Sequence, residues 1–147
     1  MPDKESWSFV ALQYYWLILN RRYLVAVGKD RIVGLRVGGV VVSPNRYTPG
    51  VNSSNPLDYI DPKLSDRYDH IDPFSDAALK TDAANFSIDR SSVKAATYLP
   101  KKWGMGSVPY SGRIILDLAH RSPIELILLG EQDSLGICNK LAPPRSN

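Results

Sequence analysis

The residues best suited to chemistry lie in the middle of the chain. Asp66, Asp69 and His70 form the one cluster in the sequence that combines carboxylate and imidazole groups. Carboxylate oxygens suit hard divalent cations, and zinc accepts both groups. If residues 62–70 form a helix, Asp66 and His70 lie one turn apart on the same face. The spacing makes them the candidate ligands of a metal site in a small hydrolase, with His120 as a further ligand. A solvated acidic segment is the interpretation that we prefer, and no metal is predicted.

A second candidate is the basic pair Lys101 and Lys102, which stands beside Trp103. Ammonium groups attract phosphate and anionic lipid headgroups, and an indole ring suits a membrane interface. The following glycines, Gly104 and Gly106, indicate a loop. The pattern predicts a site that binds an anionic surface or a partner protein. In the alternative interpretation, Trp103 packs into the core and the lysines only face solvent.

Two other motifs carry no catalytic signature. Gly104-Met105-Gly106 lacks the preceding strand, the following helix and the third glycine of a dinucleotide-binding fingerprint. Ser111-Gly112 is not flanked as a nucleophile elbow would be. The sequence therefore predicts no catalytic residue and no cofactor, and a non-enzymatic protein is expected.

Composition and charge narrow the class of protein. The 147 residues, of which 44% are hydrophobic, suit one globular domain over residues 1–147. The net charge of +3 divides into +4 over residues 1–50, −4 over residues 51–90 and +3 over residues 91–147. Nucleic-acid-binding proteins concentrate Lys and Arg on one face, so the acidic middle segment argues against a nucleic-acid partner.

Cysteine usage and the N-terminus bear on location. Cys138 is the only cysteine, which excludes a disulfide within the monomer. The first residues lack a signal-peptide layout, and a cytoplasmic location is expected. The apolar run Trp7 to Leu19 has 13 residues, and about 20 are needed to cross a bilayer. No transmembrane segment is therefore predicted.

Residue periodicity predicts a mainly β chain with a helix at each end. Phe9, Leu12, Trp16 and Leu19 recur at helical spacing, which favours a helix over residues 6–19, although the aromatic run 14–16 favours a strand. The chain divides into an N-terminal segment (1–20), first strands (21–43), an acidic loop-rich insert (44–85), later strands (86–129), a short helix (130–141) and a tail expected to fray (142–147).

One family resembles this arrangement. The strand–turn–strand Tyr23 to Gly34 resembles the opening hairpin of bacterial pleckstrin-homology-like domains. The runs 86–88, 111–115 and 125–130 are similar to their second half. The resemblance covers roughly residues 20–141 without the insert. It implies an antiparallel β-sandwich or partly open barrel with one end closed by the C-terminal helix, in a family of uncharacterised function whose better-known relatives bind ligands at the loops of the open end.

Three functions stay open at this point. The first is a non-enzymatic interaction module that engages a protein partner or an anionic surface. The second is a metal-assisted hydrolase that uses Asp66, Asp69 and His70. The third is a homo-oligomeric structural subunit that associates through its apolar N-terminal segment. The sequence is compatible with a monomer or a homodimer.

Overall fold

The computed structural model describes residues 6–16, 19–38, 55–100 and 110–143. Seven strands dominate it: β1 Trp7–Trp16, β2 Leu19–Val27, β3 Arg31–Gly38, β4 Phe86–Asp89, β5 Val93–Leu99, β6 Tyr110–Leu118 and β7 Arg121–Leu129. The helices are α1 Pro62–Ser65, α2 Asp76–Lys80 and α3 Ser134–Leu141, with 3-10 turns at Pro56–Tyr59, Asp66–Tyr68 and Arg90–Ser92. The predicted mainly β class and the C-terminal helix are confirmed.

All seven strands belong to one antiparallel sheet in the order β4-β3-β2-β1-β7-β6-β5. The strands that the sequence predicts from Tyr23 to Val37 and from Arg113 to Leu129 lie where alternation indicates. Residues 39–43, the rest of the segment expected to form the first strands, lie outside the described residues.

The prediction of an N-terminal helix over residues 6–19 is wrong for Trp7–Trp16, which form β1. This strand lies at the centre of the sheet, between β2 and β7. Phe9 and Ala11 face the main core, whereas Val10 and Leu12 belong to a second cluster on the other face. A strand buried on both faces is apolar throughout, so its sequence lacks the period of two that identifies a half-buried strand.

The sheet is sharply bent. Its edge strands β4 and β5 are six strand spacings apart, yet only Arg90–Ser92 connects them. In a flat sheet that separation would be about 29 Å, and the connection spans roughly 14 Å at most. The edges therefore meet at one corner, where the Arg90 N–H donates to the Asp30 carbonyl (2.9 Å) and the Ala119 N–H donates to that of Ser92 (2.9 Å).

The main core lies inside this bend. Every strand and α3 contribute at least one buried side chain to it. Representative members are Phe9, Val25, Ile32, Ile88, Val93, Leu116, Leu126 and Leu141.

The described part of the insert, residues 55–85, covers the opposite face of the sheet. Tyr59 packs on Val10 and Leu12, and Ala78 of α2 packs on Val33 and Leu35 of β3. This packing explains why β3 is apolar on both faces. The insert leaves the corresponding face of β5 open at Ala95 and Thr97, which are exposed.

Candidate functional site

The structure does not place Asp66 and His70 on one helix face. The helix that begins at Pro62, with the Asp61 side chain accepting from the Lys63 N–H, ends at Ser65. Asp66 opens a 3-10 turn and Asp69 is extended. His70 has a φ of 65°, in the left-handed region. The expected one-turn spacing is therefore wrong.

The described residues also provide no metal-binding cluster around this segment. Across 6–16, 19–38, 55–100 and 110–143, no three His, Cys, Asp or Glu residues are grouped closely enough to hold a metal ion. His120, the further ligand expected from elsewhere, is exposed in the turn between β6 and β7. The geometry thus gives the hydrolase hypothesis no support.

The lysine–tryptophan motif, Lys101, Lys102 and Trp103, lies outside the described residues. In the sequence it follows Pro100 directly, and Pro100 follows the last residue of β5. The Pro100 carbonyl accepts a hydrogen bond from the Arg113 side chain (3.4 Å). The motif stays a prediction, and its position in the chain directs attention to β5.

Strand β5 is an edge of the sheet, and among the described strands only β6 pairs with it. Lys94, Ala95, Thr97 and Tyr98 are exposed, and only Val93 is buried. The five residues from Ala95 to Leu99 carry no charge. An edge strand presents unpaired backbone N–H and C=O groups, which can pair with another extended chain.

An exposed apolar patch lies beside this edge and consists of Tyr98 and Leu135. The Tyr98 side chain is 37% exposed, and Leu135, the second residue of α3, is 56% exposed. A Cβ atom added to Gly112 would lie 2.8 Å from Tyr98 Cε2 and 3.1 Å from Ser134 Cβ. Tyr98 and Ser134, the first residue of α3, therefore approach the same glycine, and Leu135 follows Ser134 in the chain.

The sequence groups Leu135 with Cys138 and Leu141 on one helix face, but only the last two are buried. The buried positions of α3 are Ser134, Cys138 and Leu141, which recur at i, i+4 and i+7. Leu135 lies outside this stripe. Burial raises the pKa of the Cys138 thiol, so it is a core side chain and not a reactive thiolate.

Hydrogen bonds fix the N-terminus of α3 beside β5. Ser134 Oγ donates to Ser111 Oγ on β6 (2.9 Å), and the Asp133 side chain accepts from the Gly136 N–H (3.1 Å). The Gln132 side chain accepts from the Val10 N–H (3.1 Å) and donates to the Val10 carbonyl (2.7 Å). Gln132 thereby extends the short β1–β7 ladder, and the patch rests on a rigid support.

The other edge of the sheet, β4, is built differently. Phe86 covers Gly34 of β3 and packs edge-on against Tyr23, with ring centroids 5.2 Å apart. Beyond the end of the β3–β4 ladder, Asn85 Oδ1 accepts from the Arg36 N–H (2.7 Å) and Asn85 Nδ2 donates to the Ala78 carbonyl (2.9 Å). The Asn85 side chain therefore satisfies a backbone N–H of β3 next to the first residue of β4.

A carboxylate with two arginine partners joins the insert to the end of β3. Asp82 Oδ2 accepts from Arg36 Nη1 (2.8 Å) and from Arg67 Nη2 (3.1 Å). Burial alone would raise the pKa of Asp82, but hydrogen bonds from the Ala84 N–H and from both guanidinium groups outweigh it and lower this pKa. The charged form of Asp82 is thus the one that stabilises the packed insert.

A cleft of about 660 Å³ lies at the corner where the two sheet edges meet, beside the C-terminal end of α3. Its lining includes Arg90, whose guanidinium donates to the carbonyls of Gly28 (3.1 Å) and Lys140 (2.6 Å). The Lys140 ammonium lies 5.0 Å from the centre of the Trp7 ring. Arg90 and Lys140 already have partners, and the remaining cation, Lys29, stands with Asp30 and Asp89 in the same lining. The cleft therefore carries charges of both signs and does not present the field of one sign that attracts an ionic ligand.

Comparisons with known proteins find no match. No protein-family model, no curated protein and no solved structure is significantly similar to this chain. Among the described residues, no helix combines the length and the apolar character needed to cross a membrane.

Sequence reasoning missed Thr97, Tyr98 and Leu135 as site residues. The order of strands in a sheet depends on long-range pairing, so β5 could not be recognised as an edge from local pattern. The available signal was the uncharged run from Ala95 to Leu99 directly before the lysine–tryptophan motif.

Proposed function

We propose that the protein is a non-enzymatic interaction module with a pleckstrin-homology-like fold, which binds an extended segment of a partner protein along the free edge of β5. The fold assignment is supported by the seven antiparallel strands, by the sharp bend that brings the sheet edges together and by the packing of α3 on the core. A bend of this kind is what a sandwich or partly open barrel requires of one continuous sheet, and it supports the proposed fold.

The outer edge of β5, with which no strand of the described residues pairs, is the observation that carries the proposal. Extended peptides bind such edges by backbone hydrogen bonds, and pockets beside the strand select alternate side chains. Here the apolar patch of Tyr98 and Leu135 offers a surface for one apolar side chain of the partner. The rigid attachment of α3 keeps that surface formed before binding, which lowers the entropic cost of association.

The C-terminal end of β5 has one basic neighbour in the structure and two in the sequence. Arg113 lies beside Pro100, and Lys101 and Lys102 follow in the sequence. With Trp103 they are expected to contact the flank of the bound segment. The same residues would serve an anionic surface, and the experiment below separates the two partners.

The function is tested with a random peptide library displayed on phage and selected on the purified protein. Alternate residues of a strand direct their N–H groups to opposite sides, so either Ala96 or Thr97 directs its N–H to the free edge. Ala96→Pro and Thr97→Pro are compared, and the one that keeps the wild-type melting temperature is the edge-blocked variant. Peptides selected on the wild type should bind this variant at least about tenfold more weakly, because a backbone hydrogen bond is lost.

Amide chemical shifts locate the bound peptide. The proposal expects perturbation and slowed hydrogen exchange at residues 94–99. Equal binding to the edge-blocked variant, or shifts confined to other strands, would overturn it. Binding to vesicles containing anionic lipid that is lost in a Lys101→Ala, Lys102→Ala variant and kept in the edge-blocked variant would instead assign an anionic surface as the partner.

A further inference from the structure

The exposed run of β5 has an uncommon symmetry. The run has Thr97 at its centre, with two small residues before it and two large ones after it: Ala95, Ala96, Thr97, Tyr98 and Leu99. If this run lay antiparallel to a copy of itself with Thr97 opposite Thr97, Ala96 would face Tyr98 and Ala95 would face Leu99. A small side chain opposite a large one leaves room for the ring or the branched chain in the cross-strand pair.

The ends of the run limit the pairing to these five residues. In the same register Lys94 falls opposite Pro100, which has no N–H to continue a ladder. The β5–β6 register is irregular between Val93 and Ala95, so Lys94 also marks a local break in the strand. No charged residue lies within the paired run, and the two Lys94 side chains stand at opposite ends of it.

We propose that the free edge of β5 pairs with β5 of a second copy of this chain, in antiparallel register about Thr97. The inference rests on the proposed function, since it assumes that the edge accepts an extended strand, and it names a second copy as the occupant when no partner is bound. Such a contact is isologous, so it closes as a dimer and does not propagate. It joins the two sheets and places both copies of the Tyr98 and Leu135 patch at the interface.

The dimer is a displaceable state. A five-residue ladder with two small patches buries much less surface than the roughly 1,200–2,000 Å² of a stable interface. We therefore expect a weak, concentration-dependent dimer. A partner segment and the second copy compete for one edge. A partner therefore binds only where its affinity and concentration are high enough to displace the second copy.

Charge placed on the two-fold axis tests the register. Thr97 is exposed, so Thr97→Lys and Thr97→Asp are expected to fold. Each variant alone places like charges directly opposite each other, which opposes strand pairing. The equimolar mixture places Lys opposite Asp. Sedimentation velocity should show a wild-type dimer, a dimer dissociation constant raised about tenfold or more in each variant, and a dimer restored in the mixture. Thr97→Val, which keeps shape and adds no charge, is the control and should dimerise like the wild type.

The outcomes separate this inference from the proposed function. A wild type that stays monomeric up to about 1 mM, while selected peptides still bind at residues 94–99, overturns the dimer and leaves the function standing. A dimer that persists in both charged variants places the interface elsewhere and also overturns the inference. Charge-dependent dimerisation without any peptide binding supports the β5–β5 contact and overturns the partner-binding function.

Discussion

The two edges of the sheet share one packing feature, an aromatic ring over a glycine, and differ in what surrounds it. At each edge an aromatic ring lies over a glycine of the neighbouring strand, Phe86 over Gly34 and Tyr98 over Gly112. Phe86 is half-buried and packs against Tyr23, whereas Tyr98 is 37% exposed. The Asn85 side chain satisfies the backbone of β3 next to the first residue of β4. No described strand pairs with the outer edge of β4 or of β5.

The packing of the two rings indicates which edge is tied to the core. A ring over glycine shields the backbone of the adjacent strand in both cases. At β4 the ring is held by the core, so the edge belongs to the folding unit. At β5 the ring is accessible on one side. Natural proteins rarely leave a long, uncharged edge without cover, which supports an occupant for β5.

The largest effect is expected where the glycine lies under the fixed ring. In Gly34→Ala the new Cβ would overlap the Phe86 ring, which cannot move without losing its contact with Tyr23. Overpacking of this kind costs about 2–3 kcal/mol of unfolding free energy. Urea denaturation measures it, and the double variant with Phe86→Ala is the control: if overlap is the cause, the cost of the double variant is smaller than the sum of the two single costs.

The ion pairs between the insert and β3 should come next in size. Asp82 is 10% exposed and accepts from Arg36 and Arg67. Asp82→Asn keeps the shape and removes the charge, and we expect a loss of about 2 kcal/mol. Hydrogen exchange should accelerate at Ala78 and Asn85 and not at β5. Uniform acceleration throughout the sheet would show instead that the insert and the sheet unfold as one unit.

Acid should remove the same stabilisation. The pKa of Asp82 in the folded protein is lowered from its ordinary value of 3.8. Its contribution is therefore complete above the unfolded-state pKa and is lost as the pH falls through the lower folded-state value. The difference in unfolding free energy between wild type and Asp82→Asn should be constant from about pH 7 to 5 and should shrink below about pH 4. A difference that widened on acidification would contradict the lowered pKa.

The glycine at the open edge differs from Gly34 in its backbone. Gly112 has a φ of 158°, a conformation that favours glycine, so alanine is strained there whatever the space around it. The Cβ would also displace the tip of the Tyr98 ring, which can turn toward solvent. We expect Gly112→Ala to cost about 1–3 kcal/mol in the same urea series, chiefly from backbone strain. A double variant with Tyr98→Ala that recovered most of this cost would mean instead that overlap with the ring is the cause.

Local pattern predicted the elements whose two faces differ or whose caps are specific. Strand β6 alternates because one face meets the core, and α3 begins after Asp133, whose carboxylate accepts from the Gly136 N–H. The same reasoning predicted a helix in place of strand β1, because both faces of this strand are buried. Both faces of β3 are mixed in the sequence, and the packing of Ala78 on Val33 and Leu35, which buries one of them, is a long-range contact.

The candidate site was harder to predict than the fold. Asp66, Asp69 and His70 look like ligands because their spacing suits a helix, and the helix ends at Ser65. Thr97 and Tyr98 carry no chemical signature, and their importance follows only from the position of β5 at the edge of the sheet. That position is set by the pairing of β1 with β7, which joins two meanders far apart in the sequence.

The smallest effect on stability is expected at Leu135, and it gives the sharpest comparison within one helix. Leu135 is 56% exposed and Leu141 is 1% exposed. Leu141→Ala should cost about 2–5 kcal/mol, as for a buried leucine, whereas Leu135→Ala should change the unfolding free energy by less than about 0.5 kcal/mol. If Leu135 belongs to the interaction surface, the same variant should still weaken peptide binding and the dimer, both measured with the folded protein. A variant that is unchanged in stability and in both binding assays would remove Leu135 from the surface and would leave the backbone edge of β5 as the part of the site that binds.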